Sequence, residues 1–274
     1  MTDFLLSLQQ FSTPLLDNVF LAISALTGEL SYIIILGIVY WCIDKDRAYY
    51  IGTFLFLSFS VNTFFKNLFH IPRPYTYSDV RQIDVNTGYG YSFPSGHAQL
   101  STTFAGMFSA VFRKKWMYIA GIILVILTGF SRMYLGVHTP ADILCGIGVG
   151  LLLTALGNLL KNSSNKKLLS FAAFLLMFGV TLVYNSEDIL KLLFFAAGFL
   201  SGNIIEEKYI GYKIPEKVKP RIIGSAAGFA GLMLLTTILK ILGLTYIRYL
   251  ALGLYMTIVV PSIIKYLNIK SSLV

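Results

Sequence analysis

Long apolar runs separated by short polar loops make up most of this chain. Nine runs have the length and hydropathy of membrane-embedded helices or of their apolar centres. Their ranges are 31–42, 50–69, 95–112, 116–130, 138–160, 168–184, 189–205, 222–241 and 246–264. This pattern predicts an all-α polytopic membrane protein.

The segment before the first run has a different pattern. Over residues 4–27, apolar side chains such as Leu5, Leu8 and Phe11 recur at roughly helical spacing, and Pro14 interrupts them. We predict an amphipathic helix or helix pair lying in the membrane interface, with a short span as the alternative. Residues 1–12 lack a basic region, so no cleavable signal peptide is expected.

Composition agrees with membrane insertion. Of the 274 residues, 56% are hydrophobic and 13% are charged, whereas soluble domains have about 25% charged residues. The net charge of +9 does not predict a nucleic-acid partner, because the basic residues fall mostly in short loops, where they set topology. Cys42 and Cys145 lie in different runs, and we expect both to be unpaired thiols.

The basic residues also predict an orientation. Most of the 22 lysines and arginines lie in alternate loops, including those near residues 45, 114, 166 and 217. Since cytoplasmic loops carry the excess of basic residues, these loops are predicted to be cytoplasmic. The opposite ends of the runs then face away from the cytoplasm.

Three polar clusters interrupt the apolar sequence between residues 66 and 142. Their members are Lys66, Arg73 and Pro74; Pro94, Ser95, Gly96 and His97; and Ser131, Arg132, His138 and Asp142. The second run ends, the third begins, the fourth ends and the fifth begins on these clusters, so all three are predicted at the extracytoplasmic face. Charges next to membrane spans are costly and usually mark function.

The residue types in these clusters suit the chemistry of a phosphate group. Lysine and arginine donors bind a multiply charged oxyanion, and Ser95 and Gly96 add N–H groups at a helix start. Asp142 follows His138 by four residues, so we predict that both lie on one helical face. The carboxylate then holds one ring nitrogen and leaves the other free to attack phosphorus. His97 is available to protonate the leaving oxygen.

Taken together, the three clusters resemble the motifs of the type 2 phosphatidic acid phosphatase superfamily, which includes vanadium haloperoxidases and bacterial acid phosphatases. The resemblance covers about residues 15–160. It implies that His138 forms a phosphohistidine, that Asp142 holds it, and that His97 is the general acid. It implies a phosphate-binding role for five residues: Lys66, Arg73, Ser95, Gly96 and Arg132. It also implies that no metal or other cofactor is needed.

Simpler interpretations exist for individual residues. The three cations alone would suit interfacial side chains that extend to the headgroups, and the two cluster histidines alone would suit structural residues or metal ligands. His70 is interpreted as interfacial and not catalytic. The loop residues Asp79, Arg81 and Asp84 are interpreted as solvated, with a headgroup contact as the alternative.

These observations predict a phosphatase core at residues 1–160 and a C-terminal extension of four transmembrane helices at 161–274. The predicted function is hydrolysis of a lipid-linked phosphate at the extracytoplasmic face of a bacterial plasma membrane. Candidate substrates are phosphatidic acid, phosphatidylglycerophosphate and sphingoid phosphates. The alternatives are a polyprenyl diphosphate phosphatase, a lipid phosphotransferase and a lipid transporter using the same core; a purely structural role would make the motif set accidental.

The extension contains two pairs of glycines at four-residue spacing, Gly198 with Gly202 and Gly224 with Gly228. Such spacing permits close helix contact. We predict that the seventh and eighth runs pack tightly against each other, the core or a second protomer in a homodimer. The alternative is that these glycines only reflect the glycine content of membrane helices.

Overall fold

The structure is a computed structural model that describes residues 2–163, 165–184 and 186–272. Ser164 of the predicted 161–274 extension lies outside these residues, as do Met1, Asn185, Leu273 and Val274. The helices are α1 Thr2–Gln9, α2 Pro14–Leu26, α3 Glu29–Cys42, α4 Lys45–Phe69, α5 Gly96–Phe112, α6 Lys115–Tyr134, α7 Pro140–Leu160, α8 Lys166–Val183, α9 Glu187–Ile205, α10 Val218–Ile241, α11 Thr245–Leu254 and α12 Val260–Ser272. Short helical turns lie at Pro74–Thr76, Glu206–Ile210 and Tyr255–Val259. No strand occurs in the described residues, which confirms the all-α prediction.

Each of the nine predicted spans is helical, but fewer helices qualify as spans. By length and composition, seven helices in the described part of the chain can cross a membrane, or up to eight if the bent pair of α2 and α3 is one span. Helices α3 and α5 have 14 and 17 residues. At a rise of about 1.5 Å per residue they fall short of a bilayer core about 30 Å thick.

The N-terminal segment forms two helices, as one of the alternatives predicted. Thr13 caps α2 by accepting a hydrogen bond from the Leu16 backbone, and Pro14 occupies the first helical position, where its missing N–H costs nothing. Helices α2 and α3 meet at a bend of 48°. The placement of α1 and α2 relative to the bilayer remains a prediction.

The chain divides into two compact units, and the first comprises the described residues of 1–33 and 57–164. Helix α5 packs against α6 and α7 in this unit. A Cβ atom at Gly146 of α7 would lie 2.6 Å from the Ser95 carbonyl oxygen, and one at Gly150 would lie 2.8 Å from that of Gln99. Glycine therefore lets the two backbones approach. The Ser95 N–H donates to the Asp142 carbonyl at 3.0 Å, which joins the N-terminal ends of α5 and α7.

The second unit comprises residues 34–56 and the described part of 165–274. The Trp41 indole N–H donates to the Met256 carbonyl at 2.7 Å, and Lys45 forms an ion pair with the fully buried Glu206 at 2.7 Å. These contacts explain why residues 34–56 group with the C-terminal helices. The predicted division at residue 160 remains a prediction.

The glycines of the extension are close-contact positions. A Cβ atom at Gly198 or Gly202 would overlap the Leu250 carbonyl or the Thr257 hydroxyl, so α9 packs directly on the segment that begins with α11. Helix α10 likewise packs on α12, because Cβ atoms at Gly224 and Gly228 would overlap side chains of that helix. Both helices are therefore closely packed, as predicted, but the partner differs from those predicted, and the homodimer remains a prediction. Both helices pack on the ninth predicted span, which was not among the expected partners.

Candidate active site

His138 lies immediately before α7 and not within it. Thr139 is the N-cap of that helix, and its hydroxyl accepts from the Asp142 N–H at 3.3 Å while the Asp142 carboxylate accepts from the Thr139 N–H at 2.7 Å. The prediction that His138 and Asp142 share a helical face is therefore wrong. The capping box folds the carboxylate back over the residues that precede the helix, which brings it to the imidazole.

The His138 ring is buried, and both nitrogens have neighbours. Its Nε2 atom lies 3.3 Å from Arg73 Nη1. Because a guanidinium can only donate hydrogen bonds, this contact assigns the lone pair to Nε2 and the proton to Nδ1. The Nδ1 atom faces Asp142 Oδ2 at 3.6 Å, which is longer than a hydrogen bond. The hydroxyl of Ser92 lies 3.4 Å from Nδ1 and donates to the same carboxylate oxygen at 2.6 Å.

Arg73 is almost completely buried and binds the loop that follows α4. Its Nη2 donates to the Tyr89 carbonyl at 2.6 Å, its Nε donates to Tyr89 and Gly90 at 3.1 Å, and its Nη1 donates to Val137 at 2.9 Å. Most of its five N–H groups therefore have a partner. The observed contacts orient His138 and fix the loop, and the predicted phosphate-binding role remains a prediction.

Arg132, at the end of α6, is fully buried and has unused donors. Its Nη1 atom donates to Asp84 Oδ2 at 2.7 Å, to Thr87 Oγ1 at 3.0 Å and to the Ser24 hydroxyl. Among the described residues, Nε and Nη2 of Arg132 have no hydrogen-bond partner. Nε and Nη2 form one edge of the guanidinium, and such an edge can donate two parallel hydrogen bonds to an oxyanion. Leaving these donors unpaired in a buried site is costly.

The interpretation of Asp84 as a solvated loop residue is wrong. Asp84 is 3% exposed, and its carboxylate forms a buried ion pair with Arg132. Burial acts to raise the pKa of this carboxyl group, but hydrogen bonds from Thr87 and the charge of Arg132 outweigh burial and hold the pKa well below its usual range. Asp79 is exposed, as expected. Arg81 is exposed as well and contacts Asp17 at 3.1 Å.

The N-terminus of α5 carries the second cluster. Ser95 is its N-cap and is fully buried, and Gly96 lies against Asn62, whose Oδ1 would be 3.0 Å from an added Cβ atom. The Nε2 atom of His97 is buried and has no hydrogen-bond partner among the described residues. It lies 3.9 Å from the position of a Cβ atom on Gly28, at the bend between α2 and α3.

Lys66 is partly buried in the last turn of α4. It lies close enough to Arg73, Arg132, Glu29 and Asp142 for their charges to interact. The structure thus brings the three predicted cations and both cluster histidines to one end of the first unit. His70 is exposed, and its ring packs edge-on against Tyr91 at 4.6 Å.

Three side chains of this site were missed by the sequence analysis: Ser24, Asp84 and Ser92. Ser24 lies on α2, outside the three clusters, and carries no sequence signal. Asp84 precedes Asn86 and Thr87, and its carboxylate accepts hydrogen bonds from their backbone N–H groups at 3.1 and 3.0 Å. This turn chemistry is typical of aspartate and was a readable signal. Ser92 lies two residues before Pro94, the first residue of the second cluster. Its spacing therefore gives no signal separate from that cluster.

Within the described residues, no group of three or more histidine, cysteine, aspartate or glutamate side chains is arranged to hold a metal ion. The absence of a metal requirement remains a prediction, since only an activity measurement tests it.

The fold and the site describe a multi-pass helical membrane protein with a buried cluster of cations and histidines at one end of its first unit. The family model described as "PAP2 superfamily" matches residues 47–166, which include every predicted site residue. A second model, "PAP2 superfamily phosphatase, transmembrane extension", matches residues 190–272. The chain belongs to the PAP2 superfamily, and the resemblance to type 2 phosphatidic acid phosphatases is confirmed.

Individual relatives match parts of the chain. It is 35% identical over 162 residues to lipid A 4'-phosphatase of Porphyromonas gingivalis, covering 54% of this chain and 66% of that protein. It is 46% identical over 56 residues to undecaprenyl-diphosphatase of Sulfolobus acidocaldarius, covering 20% of this chain and 27% of that protein. The chain thus spans less than two-thirds of each relative's length.

Among solved structures, the crystal structure of Aquifex aeolicus LpxE resembles this one with a TM-score of 0.51. The two chains are 23% identical, and the match covers 57% of this chain and 92% of that chain. At this identity the likeness establishes the helical fold of the matched region.

Proposed function

We propose that this protein is an integral membrane phosphatase that hydrolyses a lipid-linked phosphate through a phosphohistidine on His138. The single observation that carries the proposal is the set of buried, unused polar atoms around that residue. They are Nε and Nη2 of Arg132 and Nε2 of His97. A phosphate group supplies the acceptors that these atoms lack, and its negative charge offsets the neighbouring cations.

In the first step, His138 Nε2 attacks phosphorus with its lone pair, and the bond from phosphorus to the lipid oxygen breaks. The Nη1–H of Arg73, which faces His138 Nε2 in this structure, then donates its hydrogen bond to an oxygen of the phosphate instead. Arg132, Lys66 and the helix start at Ser95 and Gly96 stabilise the charge on the equatorial oxygens.

His97 acts on the leaving group. The phosphate dianion stabilises the protonated imidazole, which donates its proton to the departing lipid oxygen. In the second step, the same imidazole accepts a proton from the water that attacks the phosphohistidine, so that inorganic phosphate and free His138 are released. No step requires a metal ion.

The substrate is proposed from the surroundings and the relatives. The site residues lie at the ends of apolar helices, so the phosphate belongs to a molecule held in the membrane. One relative, matched over 162 residues, is named for lipid A, which supports a phosphomonoester on a lipid headgroup. The excess of basic residues in alternate loops supports a reaction at the extracytoplasmic face of a bacterial plasma membrane.

A second candidate is hydrolysis of a polyprenyl diphosphate. The relative named for undecaprenyl diphosphate has the higher identity, although over a shorter segment. The same nucleophile and acid would cleave between the two phosphates. Transfer to a lipid acceptor instead of water is a further outcome that product analysis identifies.

The experiment is phosphate release from a panel of lipid phosphates and polyprenyl diphosphates, using the purified protein in detergent with EDTA. We expect turnover without divalent metal and inhibition by vanadate, which mimics the pentacoordinate transition state. His138→Ala should abolish turnover and prevent trapping of an acid-labile phosphoenzyme. Loss of all turnover in EDTA, restored only by magnesium, would contradict the mechanism.

A further inference from the structure

Ser92 lies between the two residues that the proposed reaction treats as a pair. The direct distance from His138 Nδ1 to Asp142 Oδ2 is 3.6 Å. The Ser92 hydroxyl lies 2.6 Å from the same carboxylate oxygen and 3.4 Å from Nδ1. It is therefore the serine oxygen, and not the carboxylate, that is within hydrogen-bonding distance of the ring.

The Ser92 hydroxyl has one proton to donate, and the distances identify its acceptor. Its contact with the Asp142 carboxylate is short and charge-assisted, whereas its contact with the Val137 carbonyl is 3.4 Å long. The proton therefore goes to Asp142. A hydroxyl that donates in one direction keeps its lone pairs for another donor, and the Nδ1–H of His138 faces them.

The position of Ser92 is itself fixed. Its side chain is almost completely buried, and its backbone N–H donates to the Ile71 carbonyl at 2.8 Å. The same segment continues into the α5 N-cap at Ser95. The hydroxyl is thus held on a short, anchored stretch of backbone next to the phosphate-binding helix start.

We infer that Ser92 is a positioning residue that passes the charge of Asp142 to His138 and, together with the Arg73 guanidinium that faces Nε2, holds the imidazole with its proton on Nδ1. This inference rests on the proposed function, in which Nε2 of His138 attacks phosphorus. Ser92 does not touch the reacting phosphate; it acts through the orientation and tautomer of the nucleophile.

A double-mutant cycle tests this role. In Ser92→Ala we expect kcat to fall about tenfold to hundredfold, as for a misoriented reacting group, with KM changed by less than about twofold because the cations stay in place. Because Ser92 acts through the carboxylate, adding Ser92→Ala to Asp142→Asn should cost little more. Ser92→Thr, which keeps the hydroxyl, should restore most of the activity.

Spectroscopy provides a readout that does not depend on turnover. The chain has three histidines, so nitrogen-15 labelling of histidine gives few resonances in detergent micelles. We expect the His138 ring of the wild type to be protonated at Nδ1. In Ser92→Ala the Arg73 guanidinium still faces Nε2, so the proton should stay on Nδ1, but the Nδ1 resonance should move because the hydroxyl that faces it is lost. Ser109→Ala, a buried serine near the other end of α5, is the control.

The outcomes separate the two proposals. Wild-type protein that hydrolyses no lipid phosphate contradicts the proposed function, while the nitrogen-15 spectrum still tests Ser92. An active wild type with His138 protonated at Nε2, or a Ser92→Ala variant with unchanged kcat, overturns the role of Ser92 alone. Additive losses in the double-mutant cycle also overturn it. If Ser92→Ala does not fold, the wild-type spectrum and Ser92→Thr still decide.

Discussion

Replacing Asp84 by asparagine tests the ion pair that holds Arg132. Oδ2 of Asp84 accepts from Arg132 Nη1 at 2.7 Å and from Thr87 Oγ1 at 2.5 Å, and Oδ1 accepts backbone N–H groups at 3.0 and 3.1 Å. Asparagine has the same size but only one oxygen. Whichever way its amide is turned, the NH2 group of asparagine faces either the Arg132 and Thr87 side-chain donors or the backbone N–H donors. The guanidinium also loses its charged partner.

The expected magnitude follows from burial. Removing one partner of a buried ion pair costs about 3–5 kcal/mol, because the other charge is left uncompensated. The position of the Arg132 guanidinium group should change as well. Loss of a hydrogen bond to a charged group, about 1.5–3 kcal/mol, corresponds to a fall in kcat/KM of roughly tenfold to more than hundredfold.

Two assays check this expectation. Thermal melting in detergent should give a lower melting temperature for Asp84→Asn, and kcat/KM should fall; Asp79→Asn, an exposed aspartate of the same loop, is the matched control. Because the folded-state pKa of Asp84 is lowered, its contribution to stability is present above about pH 4 and is lost as the pH falls. The stability difference should therefore shrink at acidic pH. Equal melting temperatures and equal kcat/KM for wild type and Asp84→Asn would refute the reasoning.

Three further predictions concern other parts of the chain. His97→Ala should reduce turnover of lipid phosphates by about 10²–10⁴-fold and that of p-nitrophenyl phosphate much less; equal losses would count against an acid role. In a variant without native cysteines, a cysteine at Asn86 should react with an impermeant thiol reagent in intact cells and one at Asn165 should not, whereas the reverse result would invert the topology. Gly202→Ala should destabilise the protein by about 1–3 kcal/mol through overpacking, while Gly179→Ala, where an added Cβ has no neighbour within 4 Å, should melt like the wild type.

The candidate site was largely predictable from the sequence because its clusters lie at the ends of consecutive apolar runs. Alternation of the runs across the membrane is enough to bring Lys66, His97 and Arg132 to one face. The role of Asp84 was only partly predictable: its turn was readable from the sequence, whereas its burial depends on Arg132, which lies 48 residues further along the chain. A loop aspartate of this kind cannot be distinguished from a solvated one by composition or spacing.

Local rules would have corrected one error. Thr139, Pro140 and Asp142 match the N-cap, first-turn proline and third-position acid of a helix start, so they indicate that His138 precedes the helix. The partner of the glycine pairs was not readable in the same way. Small residues such as Gly198 and Gly202 predict that another helix packs closely at these positions. They do not identify that helix, which depends on the packing of the rest of the chain.

The capping box of α7 couples the temperature response of catalysis to a single helical turn. Asp142 accepts from the Thr139 N–H and from the Ser92 hydroxyl with the same oxygen atom. Helix ends open locally at a much lower free energy than whole domains, and each opening of this turn would withdraw the carboxylate from His138, the proposed nucleophile. Activity should then decline on heating before the protein melts, and a substitution that strengthens the first turn of α7 should raise the temperature at which the decline begins.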